Sequence, residues 1–333
     1  MVTLRRPLML ICLAGTEQVD QTLFLIMFKP LKRVVVTGDT HGNEMSGVYL
    51  AKHWLKNPSE LQRETFSATP FLGNPRATEK IVRYVDQDLN RSFKTEILTS
   101  SSEGDELYEI KRAKEINQLY GPKGSTQTYD FMIDMHNTTS NMGACLIVDS
   151  TENHLIMHMA NYVQKNYTLA KTPIYLYKLG DEESYAIDSI CKYGLALEVG
   201  PQPQGVVRAD ALKHMRGLVN SVLDFIDLFN KGTAFPAFEI EAYKLLARED
   251  YPRSSDGEIM AIIHPHLQDK DFDPLNPGDP MFQTLDGKDI IYEGDTPVYP
   301  TFINEGAYYE KKIAFAKMEK LTFSIPAIQA QTE

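Results

Sequence analysis

Between residues 31 and 230, short apolar runs rich in β-branched residues alternate with longer segments whose apolar residues recur every three or four positions. This alternation constrains the fold more than any other feature. An intervening helix carries the chain back across a sheet and lets successive strands lie parallel. The runs predict strands at 33–37, 66–72, 130–135, 144–148, 173–177 and 195–199, and helices at 45–56, 106–119, 153–166 and 209–229. The last helix carries its stripe on Leu212, Met215, Val219, Val222, Ile226 and Phe229 and is stopped by Lys231-Gly232. The expected class is α/β, with a largely parallel sheet flanked by helices.

Beyond Gly232 the pattern changes. Prolines recur (Pro236, Pro252, Pro265, Pro274, Pro277, Pro280, Pro297 and Pro300), and Asp-Gly turns occur at 256–257 and 286–287. Short apolar runs such as "MAIIH", "MFQTL" and "LTFSI" lie between them, which predicts a smaller β-rich unit over 233–333 behind a main domain over 31–232. Residues 1–30 read as an extension outside the fold. Arg5-Arg6 followed by "PLMLICLAG" imitates a weak signal peptide, and Met27 stands just before the first convincing strand as an alternative start.

Composition excludes several partners. The chain has 43% hydrophobic and 24% charged residues, a globular balance, and its formal net charge of −11 argues against nucleic acid, which needs a clustered positive surface. Its three cysteines, Cys12, Cys145 and Cys191, are too few and too odd in number for a secreted disulfide framework. They point to a reducing compartment, and the cytoplasm is the expected location.

Three strand-like runs end in chemically useful groups. "RVVVTGDTHGNE" ends in His41 and Glu44, "YDFMIDMHNTTSNMG" carries His136, and "GLALEVGPQPQG" carries Glu198. Parallel sheets hold their ligands outside the C-terminal ends of the strands, where residues distant in sequence converge. Two imidazoles and one carboxylate with an open position make a catalytic zinc set, which leaves Glu198 to act on water as a general base. Taken singly, each residue is more often a structural histidine or a satisfied acid, and it is their joint placement at strand ends that points to a metal site. Asp134 lies two residues before His136, on the same strand face, and is placed to support its imidazole. In "RYVDQDLNRSF", Arg83, Asn90 and Arg91 lie among apolar neighbours, and the Asn-Arg pair offers donors suited to a carboxylate; a local salt-bridge cluster is the plainer alternative.

The stretches "GDTHGNEMSGVYLAKHW", "NPRATEKIVRYVDQDLNRSF", "DMHNTTSNMG", "EVGPQPQGVVRADAL" and "NEGAYYEKKIAFAK" resemble the aspartoacylase family, a branch of the zinc-carboxypeptidase-like fold, from about residue 31 to 325. The resemblance implies one Zn²⁺ per chain on His41, Glu44 and His136, with Glu198 as general base and Arg83 polarising the scissile carbonyl. It implies that Asn90 and Arg91 clamp the substrate's α-carboxylate and that Tyr308 reaches the pocket from the second domain. Asp88 is expected to support the ligands beside Asp134. The implied activity is hydrolysis of small N-acyl amino acids.

Two departures from the family pattern matter. Gly38-Asp39 replaces the usual Gly-Gly before Thr-His, which aspartate tolerates better than most residues. Asp188 stands ten residues before Glu198, where aspartoacylase proper carries an arginine for its substrate's side chain. The second departure resembles the branch that takes N-acetylated aromatic amino acids and N-acetylcysteine S-conjugates (mercapturates). Rival readings are an aspartoacylase acting on N-acetyl-aspartate, a carboxypeptidase, and a non-catalytic zinc protein. A homo-oligomer, dimer or tetramer, is expected, with peripheral association with the plasma membrane.

Overall fold

The computed structural model describes residues 25–101, 106–177 and 183–331. The signal-like segment and Cys12 lie outside the described residues. In chain order the first half runs β1 (Leu25–Phe28), β2 (Arg33–Gly38), α1 (Met45–Lys56), β3 (Ser67–Leu72), α2 (Pro75–Lys80), α3 (Thr95–Leu98), α4 (Tyr108–Tyr120) and β4 (Phe131–Asn137). It continues through β5 (Gly143–Val148), α5 (His154–Asn166), β6 (Ile174–Leu176), β7 (Tyr193–Gly200) and α6 (Ala209–Asn230). The remainder is β-rich: β8 (Phe238–Glu249), β9 (Ala261–Ile263), β10 (Pro280–Thr284), β11 (Asp289–Ile291), β12 (Tyr299–Thr301), β13 (Phe315–Ile325) and β14 (Ala327–Ala330).

Nine strands form one sheet in the order β12-β13-β8-β6-β5-β7-β4-β2-β3. Pairings β3–β2, β2–β4, β4–β7, β5–β6 and β6–β8 are parallel, whereas β5–β7, β8–β13 and β13–β12 are antiparallel. The sheet is mixed and mostly parallel, as its alternating pattern requires. Residues of β2, β4 and β7 alternate in direction. Val34, Val36, Ile133, Met135, Leu195 and Leu197 bury against α1, α5 and α6, while Val35 and Met132 face Ala113 and Ile116 of α4. Both faces are covered, so these strands are apolar almost throughout.

One finding corrects the expected organisation. Residues 1–30 are not wholly outside the fold: Leu25–Phe28 pairs in parallel with Ala327–Ala330, and Ile26 and Phe28 pack on the main core. The run "LFLIMF" is too short to cross a membrane but long enough for an edge strand. The β-rich remainder is joined to the main sheet. Strands β8, β13 and β12 extend the central sheet past α6, β9, β10 and β11 form a small sheet of their own, and β14 pairs with β1. Phe282 and Phe315 bury in the core between that sheet and the main one.

Candidate active site

His41 and Glu44 occupy the turn from β2 into α1. The turn is tight because strand and helix approach closely: a Cβ on Gly38 would stand 2.2 Å from the carbonyl oxygen of Gly47. Asp39 adopts φ +74°, the left-handed conformation that aspartate was expected to tolerate. Its carboxylate accepts hydrogen bonds from Thr78 Oγ1 and, at 3.2 Å, from Asn74 N, tying the turn to α2. Burial pushes that carboxyl up to about 7.

On the neighbouring strands the register sets Asp134 beside Ala196 and His136 beside Glu198. These side chains share the face opposite Ile133, Met135, Leu195 and Leu197. His136 and Glu198 are therefore delivered by two parallel strand ends, and His41 and Glu44 by the end of a third.

His41, Glu44 and His136 meet, and Glu198 lines the same cavity. His41 Nδ1 lies 2.6 Å from Glu44 Oε1, His136 Nδ1 lies 2.9 Å from Glu44 Oε2, and the two Nδ1 atoms are 3.2 Å apart. One ligand atom from each residue lies within 4.8 Å of the others, and all three residues are buried. The outer edges of the rings are also engaged. His41 Nε2 is 2.9 Å from Asp88 Oδ1, and His136 Nε2 is 2.6 Å from Asp134 Oδ2. A carboxylate at Nε2 holds the ring proton there and leaves the Nδ1 lone pair directed inward. Two lone pairs and a carboxylate on one point cannot share protons well; they fit a divalent cation. Thr40 Oγ1 donates to Asp134 Oδ1 at 2.7 Å and fixes that acid in turn. Burial alone would favour a neutral Glu44, but His41 and His136 override it and hold its carboxyl below the usual range.

Glu198 is buried and accepts no hydrogen bond among the described residues. Burial, reinforced by the charges of Glu44 and Glu305, raises its carboxyl well above the usual carboxylate range, with His136 and Arg83 opposing. Arg83 Nη1 donates to Glu44 Oε1 at 3.1 Å and Nη2 to Asp88 Oδ2 at 3.2 Å, so its guanidinium is aimed at the histidine–glutamate cluster. Asp88 also caps the turn of Asn90 and Arg91, accepting from Asn90 N at 3.0 Å. Asn90 Oδ1 accepts from Ile187 N at 2.9 Å, its amide nitrogen lies 3.5 Å from His136 Nε2, and Arg91 stacks 4.4 Å over the Tyr185 ring. Asp188 lines the same cavity. Burial, with Asp134 and Asp149 nearby, pushes it up to about 7.

The cavity is about 380 Å³ and brings together His41, Glu44, His136, Glu198, Arg83, Asn90, Arg91, Tyr308 and Asp188; Asp88 and Asp134 stand behind it. Several lining residues were not legible in the sequence. Tyr175, Tyr177 and Tyr185 form an aromatic wall, and Phe302 and Lys311 close it from the C-terminal segment. Lys311 Nζ reaches Asp88 Oδ2 at 3.0 Å. Glu305 accepts from Thr138 Oγ1 and, at 2.7 Å, from Thr139 N, fastening the Tyr308 segment beside β4. Only the position of Glu305 inside "NEGAYYEKK" signalled it.

Comparisons with known proteins agree with this architecture. Residues 30–226 match the succinylglutamate desuccinylase/aspartoacylase catalytic domain, and residues 238–320 match the AstE/AspA barrel-sandwich hybrid domain. The chain is 56% identical over 304 residues to the N-acyl-aromatic-L-amino acid amidohydrolase (carboxylate-forming) of Homo sapiens, covering 91% of this chain and 95% of that one. It is 48% identical to aspartoacylase of Mus musculus over 91% of this chain and 97% of the relative. The crystal structure of murine aminoacylase 3 superposes with a TM-score of 0.89 at 52% identity, covering 91% of this chain and 99% of that one. With both domains matched and identity above half over nine-tenths of its length, the chain belongs to the succinylglutamate desuccinylase/aspartoacylase family.

Proposed function

We propose that the protein is a zinc-dependent amidohydrolase that releases the acyl group, as acetate, from N-acetylated aromatic amino acids and N-acetylcysteine S-conjugates. The observation that carries this reading is the convergence of two inward Nδ1 atoms and the Glu44 carboxylate beside Glu198, a buried carboxylate with no hydrogen-bond partner among the described residues. The names of relatives 52–56% identical to the chain support the substrate class. His41, Glu44 and His136 would hold one zinc, with Asp88 and Asp134 orienting the imidazoles. Bound there, zinc supplies a Lewis acid that acidifies water and polarises a carbonyl.

The protein's own groups do the rest. Glu198 takes the proton of the attacking water and passes it to the leaving amine. A raised carboxyl suits that task, because it holds the proton between the two transfers. Arg83 donates to the oxygen that gains charge. Asn90 and Arg91 fix the α-carboxylate, which restricts the substrate to acylated amino acids, and Tyr308 closes the site with its hydroxyl. The side chain then lies along the tyrosine wall, where burial of apolar surface favours binding by about 25 cal/mol per Å². Asp188 disfavours an acidic side chain. Free, buried Cys145 and Cys191 support a reducing, cytoplasmic setting, and no helix among the described residues is long and apolar enough to cross a membrane.

Turnover of N-acetyl-tyrosine, an S-benzyl mercapturate and N-acetyl-aspartate by zinc-loaded protein tests the reading. The first two are expected to exceed the third, and a chelator is expected to abolish activity that zinc restores. A preference for N-acetyl-aspartate would make the aspartoacylase reading correct instead.

A further inference from the structure

Among the described residues, four lysine and arginine side chains line the cavity: Arg83, Arg91, Arg248 and Lys311. Three of them are engaged. Arg83 is held by Glu44 and Asp88, Arg91 Nη1 donates to the Asn90 carbonyl at 2.7 Å, and Lys311 pairs with Asp88. The side chain of Arg248 makes no hydrogen bond or ion pair among the described residues and is exposed. Why does an unengaged guanidinium face a cavity walled by tyrosines?

The backbone was bent to put it there. Along the antiparallel β8–β13 ladder, Met318 pairs with Leu245 but Lys317 pairs with Ala247, so Leu246 is an extra residue. Before this bulge, Tyr243 and Leu245 share a face with Met318; after it, Arg248 shares that face with its partner Ala316. Without the bulge the alternation would send Arg248 to the opposite face and Ala247 into the cavity. Leu246 is left 46% exposed, an unfavourable placement that the bulge accepts. Bulges beside sites commonly re-aim one side chain, and here the re-aimed group is a planar fork of donors suited to a carboxylate.

We propose that Arg248 forms a distal subsite that binds a carboxylate carried at the far end of the substrate's side chain, so that long acidic S-conjugates are preferred over their neutral counterparts. The inference rests on the amidohydrolase reading above. Its direction along the substrate follows from the α-carboxylate clamp. Arg91 stacks on Tyr185, so the side chain that branches from the clamped carbon runs along the Tyr185–Tyr175 wall, and Arg248 is near enough to Tyr175 to act on it electrostatically. Asp188 and Arg248 then sort acidic side chains by length. A short one such as aspartate meets Asp188, whereas a longer one reaches past it to Arg248.

The test compares kcat/KM for N-acetyl-S-benzyl-cysteine, N-acetyl-S-(4-carboxybenzyl)-cysteine, N-acetyl-tyrosine and N-succinyl-tyrosine in wild-type zinc-loaded protein and in R248Q. The carboxybenzyl conjugate is expected to exceed the benzyl one by about tenfold in the wild type, as befits one charge-assisted pair in a partly shielded site. In R248Q that ratio falls to about one or below, carried by KM, while N-acetyl-tyrosine changes by less than about twofold. R248E is expected to invert the ratio. High salt should compress the wild-type ratio and leave that of R248Q flat. An unchanged ratio in R248Q overturns the proposal, as does an arginine-dependent preference confined to N-succinyl-tyrosine, which would place Arg248 at the acyl end. Absence of turnover on all four substrates would instead overturn the amidohydrolase reading, and this inference with it.

Discussion

Asp188 lines the cavity, and we propose that its carboxylate selects among substrate side chains. Two like charges about 4 Å apart at an effective dielectric near 20 repel by roughly 4 kcal/mol, an upper figure once side chains relax. Asp188→Arg is therefore expected to move the ratio of kcat/KM toward N-acetyl-aspartate by something on the order of 10²-fold and to reduce turnover of N-acetyl-tyrosine. Comparing the two substrates in wild type and mutant checks this, and an unchanged ratio would remove Asp188 as the selector. The repulsion also carries a pH signature. Burial pushes Asp188 up to about 7, so it is neutral at pH 6 and charged at pH 8. Discrimination against N-acetyl-aspartate should increase over that interval in the wild type and stay flat in Asp188→Asn. Asp88 acts differently, through His41 Nε2, Arg83 and Lys311 together. Asp88→Asn should weaken metal affinity by about 10–100-fold, as loss of an imidazole's outer partner does; titration with a competing chelator measures it.

At the level of elements, the main strands and long helices were legible because each buried face leaves a period of two or 3.6 in the sequence. The strand predicted at 33–37 ends at Gly38, and the helix predicted at 209–229 ends at Asn230. Helix α2 was not anticipated. It is six residues long and ends with Ile81 at φ +55°, too short to show a stripe. The bulge at Leu246 was invisible for a different reason: it depends on the register of a partner strand some seventy residues away. The histidine–glutamate cluster was legible because its groups sit at strand ends, whereas the tyrosine wall was not, since aromatic residues in strands are ordinary core.

Asp271 gives the elements beyond α6 a testable energetic role. Its Oδ1 accepts from Ile303 N at 3.0 Å, its Oδ2 is buried with no hydrogen-bond partner among the described residues, and burial pushes its carboxyl up to about 7. An unfolded aspartate titrates near 3.9, so between about pH 4 and 7 the folded protein must keep a proton that the unfolded chain releases. Stability should fall across that window by up to about 4 kcal/mol and level off above it. Asp271→Asn lacks the titration. Its melting temperature relative to wild type should rise between pH 5 and pH 8, and a constant difference would show that Asp271 ionises normally.

Across the whole molecule, the two ends of the described chain close on each other through β1 and β14, against the helical face of the sheet. The sequence did not reveal this pairing because four residues are too few for a period. A chain beginning at Lys29 should lose the β1–β14 ladder and the packing of Ile26 and Phe28. Its melting temperature should fall by several degrees relative to a chain beginning at Leu25, corresponding to about 1–3 kcal/mol. Its metal content should be unchanged, because all three ligands lie elsewhere. The central claim, that this sheet assembles a three-ligand metal site and a separate base, is tested most directly by zinc content measured with turnover of N-acetyl-tyrosine in Glu198→Gln. The account predicts about one zinc per chain and a loss of turnover of at least the roughly 10²–10⁴-fold typical of a general base. A Glu198→Gln protein that lost its zinc, or that kept both zinc and most of its activity, would contradict it.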